Sequence, residues 1–540
     1  MFEDLLTHAP ALIVAIPLLG AFLKPLVGKI NDKLRNIFAI IIVALNSFII
    51  LLLSYNILAH ESVKLAPDLV KNGVQTYIFG AQSANYPVAR IIFEVDGLNA
   101  YMIILGAILP LAAIIYSWSF MKDETGQDKY YTLMLLLTAG MLGMMMTGDL
   151  FNFFVFLEIT SIASAALIAY RTNNKFSVQA AFKYIVISTI GALFFLFAIA
   201  ILYGQYNALN MAVLANSIQY GLLEKIAFVL FVVALAMKAG IAPMHMWLPG
   251  AYGRAPASVT LIVMGTTLGS FYGLLRIGFT VYGEHLISGT NLSIALGWML
   301  VGLAILTIFV GVLMALRQND FKKMIGFAAV AEIGYMLLAF GAALASVYQD
   351  TAGAVAFSPE GVTALRGGMF HILNDALDIG LLFLVAGAIY YVSKESSLNK
   401  LGGLARNLKY TTIFFVIGMV AVSGLPPLNG FASKLMIYQS TYAINPILAI
   451  VAILASILLL AVFVKVFYAA FLGPKLPKFD KVKEVPISML IGMLILACII
   501  IFIGLFPNLV VENVVQPAVD ALQAVLDNTN NYIAAVLGGA

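Results

Sequence analysis

Lys238-Ala-Gly-Ile-Ala-Pro243-Met-His245-Met-Trp-Leu-Pro249 closes one long apolar run, and Ser423-Gly-Leu-Pro426-Pro427-Leu-Asn-Gly430-Phe-Ala-Ser-Lys434 interrupts another. Each stretch sets helix breakers and a lysine inside a segment otherwise apolar enough to cross a bilayer. Proline removes a backbone donor and frees a carbonyl one turn back, and in hydrocarbon such groups need protein or water partners. Paired interruptions in separate halves of a chain point to a transporter built from inverted repeats. A kink that serves packing alone is the simpler alternative for either break. A lysine within about two turns of both breaks argues against it, because charge at membrane depth is costly.

Outward from these breaks the whole chain has the same character. Its 540 residues are 62% hydrophobic and 10% charged, whereas soluble domains carry roughly 25% charged residues. Apolar runs of about 20 residues, enough to cross the hydrocarbon layer, recur from end to end. They predict fourteen spans at 11–30, 36–58, 98–120, 130–147, 150–170, 178–203, 224–248, 256–282, 292–316, 321–347, 362–392, 410–440, 444–472 and 486–512. The partly apolar stretches 207–221 and 514–538 read as interfacial helices. The expected fold is an all-α polytopic membrane protein, a single membrane domain over residues 1–540 in the cell (inner or cytoplasmic) membrane.

Lysines and arginines gather in alternate loops, for example Lys29, Lys33, Arg35, Lys122, Lys129, Arg171, Lys322, Lys323, Lys400, Arg406 and Lys478. The positive-inside rule makes those loops cytoplasmic. The other side holds chiefly Lys64, Lys71, Arg90 and Lys225, so both termini are expected outside, consistent with an even span count. The acidic start Met1-Phe2-Glu3-Asp4 differs from a signal peptide, so the first span is expected to be retained. A net charge of +4 dispersed over loops gives no nucleic-acid footprint. Cys498 stands alone, which excludes an internal disulfide or a multi-cysteine cluster. No phosphate loop, nucleophile elbow or metal-ligand cluster stands out, so no catalytic residue, metal or cofactor is expected. Gly265, Gly269 and Gly273 recur every fourth residue and read as helix packing, and Met141 and Met144 to Met146 as core or lipid-facing filler.

The buried ionisable residues carry the functional reading. Glu158 lies amid Asn152-Phe-Phe-Val-Phe-Leu-Glu158-Ile, and its natural partner is a buried lysine, with Lys238 the best candidate. Desolvation opposes a buried charge while an opposite neighbour favours it, a balance that suits proton transfer; a static ion pair joining two helices is the alternative. His371, Asn374, Asp375 and Asp378 follow at helical offsets of three, four and seven, which puts all four on one face. That stripe reads as a hydrated relay or cation site, against simple interhelical hydrogen bonding. Asp149, His245 and Glu332 are accessory candidates, and Pro243, Pro426 and Pro427 mark the broken helices.

With Gly148-Asp149-Leu-Phe-Asn-Phe-Phe-Val-Phe-Leu-Glu158 added to the two broken stretches, the chain resembles the antiporter-like subunits shared by Mrp cation/proton antiporters, membrane-bound hydrogenases and related ferredoxin-linked complexes, and respiratory complex I. The likeness covers nearly all fourteen spans, and the first motif looks most like the Mrp D subunit. The resemblance implies two inverted five-helix repeats with broken seventh and twelfth helices, a first half-channel over 130–282, a second over 292–472, and a C-terminal span and tail over 486–540. It implies that Glu158 and Lys238 control one half-channel and that Lys434 ends the other. It also implies no quinone, flavin or nicotinamide site here, so energy would arrive from neighbouring membrane subunits.

Two departures stand out. Leu268 occupies the position where family members commonly carry a lysine or histidine, and where the eleventh span often shows two histidines and a lysine this chain reads His371, Asp375 and Ile379, with Asp378 adjacent. A lysine-to-lysine relay therefore lacks its central group, while carboxylates suit both H+ and, as hard oxygen ligands, Na+. The expected function is an H+-translocating subunit of a multisubunit redox-driven or Mrp-type complex, with Na+ as a second ion; it is not an enzyme by itself. A degenerate subunit that scaffolds its neighbours without conducting is the alternative, and an independent solute permease ranks last.

Overall fold

The computed structural model describes residues 2–79, 91–288, 290–349, 355–474, 476–524, 532–533 and 536. Long apolar runs form helices because a helix satisfies its own backbone polar groups, the requirement that hydrocarbon imposes. The first six spans are α1 (Phe2–Gly28), α2 (Asp32–Leu58), α3 (Gly97–Phe120), α4 (Gln127–Met146), α5 (Leu150–Ile168) and α6 (Lys175–Tyr206). After the short α7 (Met211–Ser217), the seventh span runs as α8 (Leu222–Ala239), a break, and α9 (Leu248–Arg254). Next come α10 (Ala257–Leu275), continued by a π-helical turn to Val281, the short α11 (Gly283–Ser288), α12 (Thr290–Arg317), α13 (Phe321–Ala345) and α14 (Pro359–Ser393). The twelfth span is α15 (Lys409–Val422) followed by α16 (Asn429–Ile444), and α17 (Pro446–Val466) and α18 (Ile487–Leu505) complete the bundle before the short α19 (Pro507–Val510) and α20 (Gln516–Gln523).

Among the described residues thirteen helical segments are long and apolar enough to cross a membrane, and the shorter Lys409–Val422 is the first half of the broken twelfth span. That agrees with fourteen spans, although the seventh reaches Arg254 instead of ending at 248. The two stretches read as interfacial helices contain α7 and α20, both too short to span; 525–531, 534–535 and 537–540 lie outside the described residues, as does Arg90. The described residues are nearly all helical, in keeping with the all-α expectation. Two antiparallel hairpins stand outside the spans, β1 (Gln75–Ile78) with β2 (Ile92–Val95) and β3 (Val347–Gln349) with β4 (Val355–Phe357). These strands are three or four residues long, too short for an alternating pattern to show in sequence.

The β1–β2 hairpin brings together residues from α1 and from the C-terminal segment. Gln75 Nε2 donates to Leu6 O at 2.7 Å, and Tyr532 donates to Glu94 on β2. Met141, Met144, Met145 and Met146 are core residues, and a Cβ on Gly265 or Gly269 would run into Met141 or Met144. Helices α12 and α13 pack closely, with glycines that let the backbones approach each other. A Cβ on Gly311 would lie 2.5 Å from the Ala331 amide nitrogen, whereas Gly302 on the same helix faces open space. Gly311→Val should therefore cost about 1–3 kcal/mol by overpacking, while Gly302→Ala should be neutral or stabilising by up to about 1 kcal/mol. Thermal unfolding of both variants in one detergent measures this, and indistinguishable melting temperatures would refute the packing assignment.

Candidate functional site

Both broken helices end their first half on a glycine in the left-handed region, Gly240 (φ 76°) and Gly424 (φ 69°) just beyond the last turn. That conformation is open to glycine and strained for other residues. The backbone groups released by each break are taken up by protein side chains. In the seventh span Trp247 Nε1 donates to Met237 O at 2.8 Å, and the Ala242 amide donates to Thr307 Oγ1 at 3.2 Å. In the twelfth, Ser456 Oγ donates to Ser423 O at 3.0 Å and Lys434 Nζ donates to Val422 O at 2.7 Å. An ammonium at a helix C-terminus also meets the negative end of the helix dipole. Gly424 leaves room for the lysine stem, since a Cβ there would stand 2.9 Å from Lys434 Cδ.

The second half gathers the larger cluster. Lys434 Nζ pairs with Glu332 Oε1 of α13 at 2.8 Å and lies 4.5 Å above the Tyr335 ring. His371 Nε2 approaches the other oxygen, Glu332 Oε2, at 2.9 Å, a charge contact off hydrogen-bond alignment, and its Nδ1 meets Ser433 Oγ at 3.1 Å. The predicted stripe on α14 is buried throughout: His371, Asn374, Asp375 and Asp378 are each at most 2% exposed. Asn429, at the head of α16, donates to Asp378 Oδ1 at 3.0 Å and to Asn374 Oδ1 at 3.1 Å, and Asn374 Nδ2 donates back to Asn429 O at 3.0 Å. Asp375 Oδ1 is buried without a hydrogen-bond partner among the described residues. Three carboxyls thus share a buried interior with one lysine and one imidazole.

In the first half, a hydroxyl receives the lysine. Lys238 Nζ donates to Ser161 Oγ, and Ser188 Oγ donates to the same oxygen at 3.0 Å. Glu158, three residues before Ser161 and so on the same helix face, is half-buried with Oε1 unpartnered, and it acts on Lys238 through space without a hydrogen bond between them. Pairing by opposite charge predicts direct contact; Ser161 is the group that sequence reasoning missed. His245 is buried in the turn after the break with Nδ1 unpartnered, and it makes no hydrogen bond or ion pair with the other candidates among the described residues. Asp149 caps α5, accepting from the Asn152 amide at 2.7 Å.

Between the halves, Leu268 is buried and apolar. Its neighbour Thr267 meets Tyr252 through their hydroxyls at 2.7 Å, and Tyr252 lies within electrostatic reach of Asp375 and Tyr184. Tyr184 in turn sits beside Ser161, Ser164 and Ser188. Hydroxyl groups therefore line the seam where the relay residue is missing.

The model of the transmembrane region of NADH:quinone oxidoreductases and Mrp antiporters matches residues 147–460, a stretch that contains both breaks and every candidate residue from Asp149 to Lys434. The chain belongs to this family. It is 32% identical over 530 residues to the N subunit of an NADH-quinone oxidoreductase of Desulforudis audaxviator, covering 95% of this chain and 98% of the relative. It is 30% identical over 483 residues to the D subunit of a Na(+)/H(+) antiporter of Alkalihalophilus pseudofirmus, covering 88% and 91%. Among solved structures, a chain of the Mrp complex from Dietzia sp. superposes with a TM-score of 0.81 at 25% identity, over 99% of this chain and 100% of that one. A chain of the archaeal membrane-bound sulfane sulfur reductase gives 0.79 at 28% identity, over 98% and 99%. The chain is thus an antiporter-like membrane subunit of the type found in Mrp and complex I assemblies.

Within this family fold, Glu332 moves from an accessory candidate to the centre of the second half. Removing one partner of a buried ion pair costs about 3–5 kcal/mol because the other charge is stranded. Glu332→Gln should therefore lower thermal stability more than Glu332→Gln combined with Lys434→Met. Melting temperatures of both, measured with the parent, decide the matter: a double variant less stable than the single one would show that the pair is not the controlling interaction.

Proposed function

We propose that this chain translocates H+, with Na+ as a second ion, within a multisubunit membrane complex, and that its two halves exchange charge through the interior. The observation that carries this reading is the charge imbalance around Glu332: Glu332, Asp375 and Asp378 against Lys434 and His371, all buried. In a low-dielectric interior such an excess is relieved by binding a proton or cation, and so the site must load and release positive charge when its lysine moves. Glu158, Lys238 and Ser161 form the corresponding element of the first half, and the Tyr184, Tyr252 and Thr267 hydroxyls supply the connection. Asp149 and His245 border the first half-channel over 130–282, as Lys434 ends the second over 292–472. The relatives, named as subunits of antiporters and oxidoreductases, support assembly with other membrane subunits whose redox or antiport chemistry drives the transfer. The lysine-rich loops support a cytoplasmic face opposite both termini.

Lys434 tests the central claim. Lys434→Met should abolish or slow translocation at least tenfold with assembly intact, and Lys434→Arg should fail too, because guanidinium hardly ever gives up its proton. Proton uptake by vesicles carrying matched amounts of each variant measures this; full transport with arginine would make Lys434 a fixed charge. The apolar Leu268 favours a second reading, a scaffold that does not conduct, and unchanged ion movement in both Lys434 variants would support it.

The pairing within the first half has its own test. Glu158→Gln, Lys238→Met and the double variant form a double-mutant cycle, in which interacting groups depart from additivity. The expected double loss is smaller than the product of the single losses in translocation rate. Strictly independent losses would remove the through-space pairing.

A further inference from the structure

Glu94 closes the β1–β2 hairpin and is 1% exposed. Asn210 Nδ2 donates to its Oε1 at 2.7 Å and the Tyr532 hydroxyl, from the C-terminal segment, donates to Oε2. Both donors are neutral. The nearby cation is engaged elsewhere: Arg276 pairs with Asp96 Oδ1 at 2.7 Å, donates to Asn99 and to the Tyr272 hydroxyl (3.3 Å), and stacks 5.0 Å from the Tyr532 ring without bonding Glu94. Glu94 and Asp96 thus share one guanidinium, and ionising both would leave a net buried negative charge. A buried carboxylate with no cation of its own holds a proton more readily than one in water.

The position matters as much as the charge. Gly148 leaves no room for any side chain between itself and the Glu94 carboxyl. Gly148 and Asp149 lead directly into α5, on which Glu158 lies eight residues beyond Leu150, about 12 Å along the helix. The Gly148 amide donates to Ile92 O at 3.0 Å, and Asp149 spends its carboxylate on the cap of α5. Glu94 therefore stands at the end of the first half that faces the lysine-poor side, beside the start of the helix that carries Glu158.

We infer that Glu94 is a proton-binding site at the lysine-poor mouth of the first half-channel, closed by the Tyr532 hydroxyl. The inference rests on the proposed translocation for its role in transport, but the protonation itself does not. Burial pushes the Glu94 carboxyl up to about 7, against the lowering effect of the Tyr532 and Asn210 hydrogen bonds and of Arg276, with Asp96 adding to the rise. For a group titrating there, the protonated fraction falls about tenfold between pH 6 and pH 8. A static clasp that ties the C-terminal segment to the hairpin would show no such change.

The test uses the assembled complex in proteoliposomes. Infrared difference spectra of the parent against Glu94→Gln, which keeps a hydrogen-bonding side chain of the same shape, should reveal a protonated carboxyl stretch that titrates near neutrality and is absent from the variant. Tyr532→Phe, which removes a donor to the ionised form, should move that midpoint upward. Translocation by Glu94→Gln should lose most of the parent's pH dependence in this range, with less than about a twofold change where the parent shows several-fold, while Glu94→Asp retains it. No titrating band lost in Glu94→Gln, or a transport profile that superposes on the parent's, overturns the inference. A parent complex that moves no ions, with the band present, would instead overturn the translocation reading and leave the proton site standing.

Discussion

Glu332 is shared: one oxygen holds Lys434 and the other faces His371, so a single carboxylate from α13 ties α14 and α16 together. In hydrocarbon a lone charge costs about 2.5–3.5 kcal/mol even on lenient scales, so the Lys434 ammonium depends on this acid where it sits. The rest of the second half follows from that demand. The lysine reaches the acid only because the twelfth span is broken, and the break places Val422 O where the ammonium can also bond it. The stem passes only because position 424 is glycine. The same break sets Asn429 at a helix start, free to bridge Asn374 and Asp378.

The two halves solve the same problem differently. Around Lys434 the compensation is ionic and direct, whereas Lys238 rests on a serine and feels its carboxylate from a distance. A hydroxyl can donate or accept by rotation, so the first lysine has a partner in either protonation state, while the second loses its main partner when neutral. Such an asymmetry gives the halves different responses to the same local movement. It also assigns the seam a role that fits its composition, since Tyr184, Tyr252 and Thr267 carry hydroxyls where Leu268 carries none.

Much of this was legible in the chain, for reasons that differ by feature. Spans are local properties of hydropathy, and Gly240, Pro243, Gly424 and Pro426 announce their breaks through backbone chemistry alone. The stripe of His371, Asn374, Asp375 and Asp378 was readable because helical spacing decides which face a residue shares. Glu332 was visible only as an accessory, since its partner lies 102 residues away and no periodicity links α13 to α16. Ser161 escaped because charges attract attention and hydroxyls do not, although its offset of three from Glu158 was available. Asn429 was quoted within its motif, yet its bridging role depends on which helix the break faces. The hairpin that holds Glu94 gave no pattern, and its link to Tyr532 spans 438 residues.

The helix α14 has one further consequence. Its 35 residues extend about 52 Å, well beyond the roughly 30 Å hydrocarbon thickness, and the apolar stretch of it is enclosed by other helices along its whole length. Lipid is therefore kept from the stretch of α14 that carries the polar stripe. Hydrophobic mismatch acts on surfaces that meet acyl chains, here the outward faces of α1, α6, α12 and α18. A thinner or thicker bilayer can tilt those rim helices, and the central rod meets the change where a rim helix packs against it, as α18 does through Leu496 beside Gly380. The buried polar residues of α14 are thus set back from the bilayer by a layer of helices, which spreads any change of membrane thickness over several packing contacts before it reaches them.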